Sequence, residues 1–197
     1  MNIPWRWIIG GVLAAALGVW LVALWLPGWL TPTAVPPPQT SSDSATPDSD
    51  AAPTESRRIH ATLFYVTGAG NALVPVDREV PYAASPAAQA RRIVEAQLAT
   101  PPDGRVSAIP QGATVRALFL TSRGEAFVDL SGAIAANHPG GSLHEALTVY
   151  TIVNALTVNL PDITAVQILI DGREVDTLAG HIDLRHPLKR NPKWIAR

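Results

Sequence analysis

Five histidines are the residues of this chain best suited to bind a metal ion or to exchange protons near neutral pH. His144 and Glu145 begin like the zinc motif H-E-x-x-H, but Thr148 occupies the position of the second histidine ligand. His181 and His186 lie five residues apart, and the chain has no cysteine that could join them as a ligand. The pattern therefore predicts histidines at the surface or core edge, and we expect no metal and no other cofactor.

Residues suited to covalent or acid–base catalysis are not arranged in a recognisable pattern. A nucleophile needs an adjacent base and an orienting group, and Ser131 in Asp129-Leu130-Ser131-Gly132 lacks the G-x-S-x-G elbow. Its position predicts a residue that shapes a turn after a strand. Two groups of acids have the chemistry for glycoside hydrolysis: Asp77 with Glu79, and Asp171 with Glu174 and Asp176. We interpret them as solvated charges and expect no catalytic residues.

A basic stretch at the carboxyl terminus runs from Arg185 to Arg197 and contains no acidic residue. Such a stretch suits contact with anionic lipid headgroups, an acidic wall polymer or an acidic partner surface. The competing interpretation is a solvated, poorly ordered terminus. The candidate partner-binding residues are Arg185, Lys189, Arg190, Lys193, Trp194 and Arg197.

An apolar segment near the amino terminus predicts a membrane anchor. Ile8–Leu26 contains nineteen residues without a charge, and a helix of that length matches the hydrocarbon core of a bilayer, about 30 Å thick. A cleaved secretory signal is the alternative, but its apolar region is usually about 7–15 residues long and precedes an A-x-A-like site. No such site occurs between Pro27 and Val35. We therefore expect residues 8–26 to form an uncleaved transmembrane helix.

The distribution of positive charge predicts the orientation of this helix. Arg6 and the amino group precede the helix, and no Lys or Arg follows it until Arg57. Positively charged flanks are retained in the cytoplasm. We therefore expect a protein of the cytoplasmic (inner) membrane, with residues 1–7 in the cytoplasm and the remainder of the chain periplasmic or extracytoplasmic.

A linker at residues 27–57 separates the predicted anchor from a folded domain. Residues 31–56 include six prolines and ten serines or threonines but no aromatic residue, so this segment should be disordered. The length of the remainder suits one domain, which we place at residues 58–190 before a basic tail at 191–197. From residue 57 onward, fourteen Lys or Arg face twelve Asp or Glu, and this near-neutral balance argues against nucleic-acid binding.

Helix and strand signals in the domain follow the order ββαββαββ. One helix should begin at Ser85-Pro86, a good N-cap followed by a proline, and end by Thr100. A second should begin at Ser142 and Glu145, which have the S-x-x-E spacing of a capping box. The predicted strands are Ile59–Thr67, Leu73–Pro81, Val115–Thr121, Ala126–Leu130, Ala165–Ile170 and Ile182–Leu184. This order predicts an α+β fold with two helices on one face of a mixed or mostly antiparallel sheet.

The succession of these segments resembles the GerMN domain family over about residues 60–190. The blocks that carry the resemblance are, in order, LVPVDREV, SAIPQGATV, EAFVDLSGAI, ALTVYTIVNALTVNLPDI, AVQILIDGREV and HIDLRHPL. The resemblance implies an extracytoplasmic α/β module, named for a spore-germination lipoprotein and similar in fold to ring-building modules of membrane-spanning assemblies. It implies no catalytic motif. This chain departs from some relatives in having one copy of the domain and a predicted helix in place of a lipidated cysteine.

The expected function is therefore that of a single-pass, membrane-anchored scaffold in cell-envelope assembly, without catalysis. Its expected partners are the membrane and an envelope protein or a second copy of itself, and no nucleic acid. The alternative is a peptidoglycan- or carbohydrate-binding module, or an accessory to a cell-wall enzyme. An exposed aromatic platform would favour that alternative, and only Tyr82 and Trp194 are predicted to be exposed.

Overall fold

A computed structural model describes residues 57–102 and 104–196 of the chain. The predicted membrane helix at residues 8–26 and nearly all of the predicted linker lie outside these residues. Within the described residues, no helix combines the length and apolar character needed to cross a bilayer.

A β-hairpin opens the domain. Strands β1 (Arg58–Val66) and β2 (Leu73–Pro81) pair antiparallel as a sheet of their own. Both strands were predicted from their β-branched and aromatic residues. The outer edge of β1 is covered by side-chain amides instead of another strand: Gln97 donates to and accepts from the backbone of Phe64 at 2.8 Å. Asn159 bonds Thr62 in the same way, at 2.7 and 2.8 Å.

The first helix begins and ends close to the predicted residues. Helix α1 (Pro86–Leu98) is capped by Ser85, whose hydroxyl accepts a hydrogen bond from the N–H of Ala88 at 3.2 Å. Proline at the first position costs no helical hydrogen bond, because that N–H has no partner in a helix. Ala90 and Ile93 are fully buried and turn one face of the helix toward the core.

A second sheet has four strands in the order β3-β4-β5-β6. Strands β3 (Val115–Leu120) and β4 (Glu125–Leu130) form the predicted hairpin. Strand β5 (Ala165–Ile170) lies parallel to β4, and the two-residue strand β6 (Arg173–Glu174) follows antiparallel. The α+β class is confirmed, but the prediction of one sheet is wrong, because the described strands divide into two.

The prediction of a last strand at Ile182–Leu184 is also wrong. The chain reverses directly after β5 into β6, and Leu188 pairs with Val166 of β5. The backbone of Leu184 bonds the carbonyl of Asp176 and a side chain of β5 instead of a strand. The segment Ile182–Leu184 has no neighbouring strand backbone and therefore forms a loop, in which the N–H and C=O groups of Leu184 find partners elsewhere.

The second predicted helix is present but begins differently. Helix α3 (Ser142–Asn159) follows a short helix α2 (Ala133–Ala136) that the sequence did not predict. The N-cap of α3 is Gly141, at φ 85°, and it makes no side-chain cap. The predicted capping box of Ser142 and Glu145 is therefore wrong.

The core lies between the helices and the two sheets. Helix α1 contacts β1, β2 and β3, helix α3 contacts β1 and β5, and the two helices contact each other. Leu63, Ile93, Val128 and Ile152 are at most 1% exposed. Each such side chain contributes about 1.5–3 kcal/mol through burial. The two sheets are thus joined through shared helices.

Candidate functional site

A buried carboxylate organises the loop that follows β6. The side chain of Glu145, on the first turn of α3, is 0% exposed. Its Oε1 accepts hydrogen bonds from the N–H groups of Leu178 at 2.9 Å and Ala179 at 2.8 Å. Its Oε2 accepts from the N–H of His181 at 2.7 Å and lies 3.1 Å from Nδ1 of the same histidine. Four donors thus converge on one carboxylate and hold residues 178–181 in place.

The electrostatics of this contact favour the charged form of Glu145. Burial alone would raise the pKa of its carboxyl group, but the backbone N–H groups of Ala179, Ile182, His181 and Leu178 outweigh burial. The pKa of Glu145 therefore lies below its ordinary value. All of these donors are supplied by the loop, so the lowered pKa of Glu145 depends on the loop remaining folded.

The segment that follows, from Leu184 to Leu188, is attached to β5. The amide nitrogen of Gln167, which is 2% exposed, donates to the carbonyl oxygen of Leu184 at 2.5 Å. Val166 and Leu188 exchange two backbone hydrogen bonds of 2.8 Å. The chain therefore reaches its basic terminus along a defined path.

The basic terminus itself packs against the domain. The side chain of Asn154, on α3, accepts from the N–H of Asn191 at 3.0 Å and donates to its carbonyl oxygen at 3.3 Å. The indole of Trp194 stacks on Tyr150 at a centroid distance of 6.0 Å, and the N–H of Ala196 bonds the carbonyl of Leu73 at 2.8 Å. Residues 191–196, which the sequence assigns to a tail, are thus held at three points.

The predicted partner-binding residues divide into four groups. Arg185 is bound by both oxygens of Asp183, at 2.9 and 2.7 Å, and these bonds hold the pKa of Asp183 below its usual range. Trp194 is half-buried, and its indole nitrogen has no hydrogen-bond partner among the described residues. Arg197 lies outside the described residues. The remaining three, Lys189, Arg190 and Lys193, are exposed.

The exposure of aromatic residues differs from the sequence prediction. Trp194 and Tyr82 are only half-exposed, and Tyr82 lies under the guanidinium of Arg57 at 4.3 Å. Phe119 is instead 62% exposed on β3, directly opposite Phe127 of β4. The prediction that only Tyr82 and Trp194 are exposed is therefore wrong. The sequence could not predict the exposure of Phe119, because it does not show that β3 lies at the edge of the sheet.

One groove of the described residues has a mostly apolar lining. It measures about 650 Å³ and lies where the start of α1, the β3–β4 turn and the loop before β5 meet. Among its described lining residues, Asp162 is the only one with a charge.

Several of the acidic and hydroxyl residues weighed for catalysis have structural partners. Ser131 accepts from the N–H of Thr114 at 3.0 Å, as expected of a residue that shapes a turn. Asp129, which is 6% exposed, accepts from the N–H of Gly172 at 2.7 Å. Arg116 donates to Asp171 at 2.7 Å and thereby lowers the pKa of that carboxyl group. These contacts close the end of the four-stranded sheet.

The histidines are dispersed. His138 lies 3.2 Å from the hydroxyl of Thr148, and burial lowers the pKa of its imidazole. His181 contacts Glu145, whereas His144 lies 3.2 Å from the carbonyl of Gly140. In residues 57–102 and 104–196, no group of three or more His, Asp or Glu side chains is placed to hold a metal ion.

The polar residues that hold the C-terminal segment were missed by sequence reasoning. They are Glu145, Asn154 and Gln167, all at most 2% exposed. Their signal is that each interrupts an otherwise apolar run, in EALTVYTIVNALTV and in AVQILI. A polar residue within a buried run requires a partner, although the sequence does not say which one.

Comparison with known proteins identifies the family of the domain. Residues 62–176 match the sequence profile of the Germane family, described as "Sporulation and spore germination". This match covers more than half of the chain. The chain belongs to the GerMN family. The resemblance predicted from its sequence blocks is therefore confirmed.

Solved structures of GerMN domains have the same fold. The tandem GerMN domains of the sporulation protein GerM from Bacillus subtilis are 18% identical, with a TM-score of 0.56. That match covers 70% of this chain and 47% of the tandem structure. The first GerMN domain alone is 20% identical, with a TM-score of 0.52, and covers 67% of this chain and 98% of that domain. No curated protein sequence matches this chain.

Proposed function

We propose that this chain is a non-catalytic interaction module of the cell envelope, with one GerMN domain tethered to the outer side of the cytoplasmic membrane. The apolar segment at residues 8–26 would supply a single-pass anchor, and residues 27–57 would supply a spacer. The chain belongs to a family described as "Sporulation and spore germination", and its resemblance to that family implies an extracytoplasmic module, which supports a role in envelope assembly. Tethering raises the concentration of the domain near membrane partners without adding a contact.

One observation carries the proposal: the C-terminal segment is held rigidly while its cations face solvent. Three buried polar side chains of α3 and β5 are used to position this segment. Lys189, Arg190 and Lys193 are the residues that it presents. A segment held in this way loses little conformational entropy when it binds a partner.

Protease accessibility tests the location. Protease added outside intact spheroplasts should remove the domain and leave a short membrane-bound fragment. Protection of the domain until the membrane is permeabilised would contradict the orientation. A cytoplasmic protein of the same cells is the control for intact membranes.

Crosslinking in intact cells tests the interaction role. A photo-reactive amino acid at position 193 should yield one recurring envelope adduct, whereas the same group at Arg173, an exposed position on β6, should not. Equal adduct patterns at the two positions would show that the C-terminal segment is no preferred contact.

Carbohydrate binding is a second candidate, favoured by the exposed Phe119 beside Phe127. The apolar faces of such a ring pair suit the C–H face of a sugar. Purified wall sacculi should then sediment the protein, and Phe119→Ala should abolish sedimentation. Val106→Ala is the matched control, because Val106 is an exposed apolar residue elsewhere, at 61%. A protein that remains soluble with sacculi would exclude this candidate.

A further inference from the structure

The C-terminal segment forms a shallow depression with a basic rim. Its lining residues are Arg190, Pro192, Lys193, Ile195 and Ala196, and its volume is about 600 Å³. Arg190 and Lys193 are exposed, and Lys189 lies next to them in the chain. No carboxylate of the described residues lies within ion-pair distance of these three cations.

Six other arginines of the domain lie within 4.0 Å of a carboxylate, which neutralises their charge. The pairs are Arg58 with Glu79, Arg91 and Arg92 with Glu95, Arg116 with Asp129 and Asp171, Arg123 with Glu125, and Arg185 with Asp183. Arg57, Arg78, Arg105 and Arg173 also have no carboxylate partner among the described residues, but they lie far apart in the chain. The C-terminal segment has three such cations within five residues, and this local concentration favours an anionic partner.

The depression lies at the end of the hairpin opposite to the linker. Ile195 is adjacent to Leu73, where β2 begins. The linker enters at Arg57, whose carbonyl accepts from Tyr82 just beyond the other end of β2. Nine residues of strand separate the two ends, a length of about 30 Å at the usual rise per residue. The depression therefore lies far from Arg57, at which the described residues begin.

The composition of the depression favours a charged polymer over a protein surface. Protein interfaces have apolar cores with aromatic anchors and few lysines. Here the one aromatic residue of the segment, Trp194, is turned inward onto Tyr150. Two cations around an open depression instead suit one tetrahedral anionic group, and a polymer offers many copies of such a group.

We propose that the Arg190–Lys193 depression binds the phosphate groups of an anionic polymer. Lys189 contributes long-range attraction. Arg185 and Trp194 are not contacts in this arrangement, because the first is neutralised and the second holds the segment in place. The binding of phosphate goes beyond the proposed function and does not depend on the proposed membrane anchor.

The test uses the full chain reconstituted in nanodiscs of neutral phosphatidylcholine, with long-chain polyphosphate as the probe. The wild type should bind the probe, and its Kd should rise with salt because counterions are displaced. The variant K189Q/R190Q/K193Q should bind at least about tenfold more weakly at low salt. The matched variant R57Q/R105Q/R173Q removes three exposed arginines elsewhere that have no carboxylate partner among the described residues. It should stay within about twofold of the wild type.

Further arms identify the anion. Polyglutamate should bind more weakly than polyphosphate, and vesicles containing phosphatidylglycerol should bind more weakly than polyphosphate at equal phosphate concentration. Equal losses in the two triple variants, or a preference for polyglutamate or for anionic vesicles, would overturn the proposal. Thermal unfolding by circular dichroism checks that the variants are folded. A failure of binding here would leave the protease result on membrane orientation unchanged, so the two proposals fail separately.

Discussion

Replacing Glu145 with Gln should release the loop at residues 178–181. In the wild type, each carboxylate oxygen accepts two hydrogen bonds from this loop. Glutamine keeps one accepting oxygen and turns an NH₂ group toward the other two donors, so two of the four contacts become repulsive. A buried hydrogen bond to a charged group contributes about 1.5–3 kcal/mol. We therefore expect the variant to lose about 3–5 kcal/mol of the free energy of unfolding, a value typical of a broken buried charge contact.

Urea unfolding of the full chain, followed by circular dichroism, measures this loss. A domain of this size should also show a lower Tm, by roughly 3–5 °C for each kcal/mol. Glu174→Gln is the matched control, because Glu174 is exposed on β6, and it should change stability by at most about 0.5 kcal/mol. If E145Q unfolds within that same margin of the wild type, the carboxylate does not clamp the loop and the reasoning is refuted.

The same clamp predicts a pH dependence. The pKa of Glu145 is depressed in the folded state, so its contribution is fully present above the unfolded pKa of about 4.3. This contribution is lost as the pH falls from that value through the folded pKa. Wild-type stability should therefore decline below about pH 4.5 more steeply than that of E145Q. Parallel curves for the two proteins would contradict the depressed pKa.

Three further substitutions test other parts of the fold. Asn154→Ala should lower the free energy of unfolding by about 1–3 kcal/mol, because the backbone of Asn191 loses both partners. Amide hydrogen exchange should become faster at residues 191–196, and unchanged protection would mean that other contacts hold the segment. Gln97→Leu should lower the free energy of unfolding in urea by at least about 2 kcal/mol, because the buried edge of β1 loses a donor and an acceptor. Stability equal to that of the wild type would indicate that water replaces the amide. Gly124→Ala should lower the Tm, because Gly124 has φ 80° and a Cβ there would collide with the carbonyl oxygen of Asp162. An unchanged Tm would show that the turn can relax.

Local signals account for most of the secondary structure that was predicted correctly. Ser85 and Pro86 mark the start of α1 through contacts within one helical turn. The β1–β2 and β3–β4 hairpins follow from strand-forming residues on both sides of short turns. In each case the determining contacts join residues that are close in sequence, so their types and spacing are sufficient.

Glu145 shows where local signals fail. The spacing from Ser142 to Glu145 is that of a capping box, whose energy comes from one turn of backbone. In the folded domain the carboxylate instead binds N–H groups more than 30 residues away. Four charge-assisted bonds in a buried site outweigh one exposed cap, so tertiary structure overrides the local pattern.

The C-terminal segment illustrates the same limit for the candidate site. Its composition identified the cations, but composition could not separate Arg185, which Asp183 neutralises, from Arg190 and Lys193. Nor could it show that Asn154 and Tyr150 hold the segment against α3. The contacts of Asn154 and Tyr150 join residues about 40 positions apart. Asp183 lies only two residues from Arg185, but that spacing alone does not show that the two side chains pair.

The sequence by itself determined the GerMN family, the α+β class, the principal strands and helices, and the expectation of an anchored domain with a basic terminus. Tertiary structure decided that the strands form two sheets and that Glu145 clamps a distant loop. It also decided that residues 191–196 are ordered and that they lie at the end of the β1–β2 hairpin opposite to Arg57. The physical reason is the range of the forces involved. Capping, turn formation and hydrophobic periodicity act over a few residues, whereas a buried polar group selects its partner only after the fold has excluded water and brought distant backbone to it.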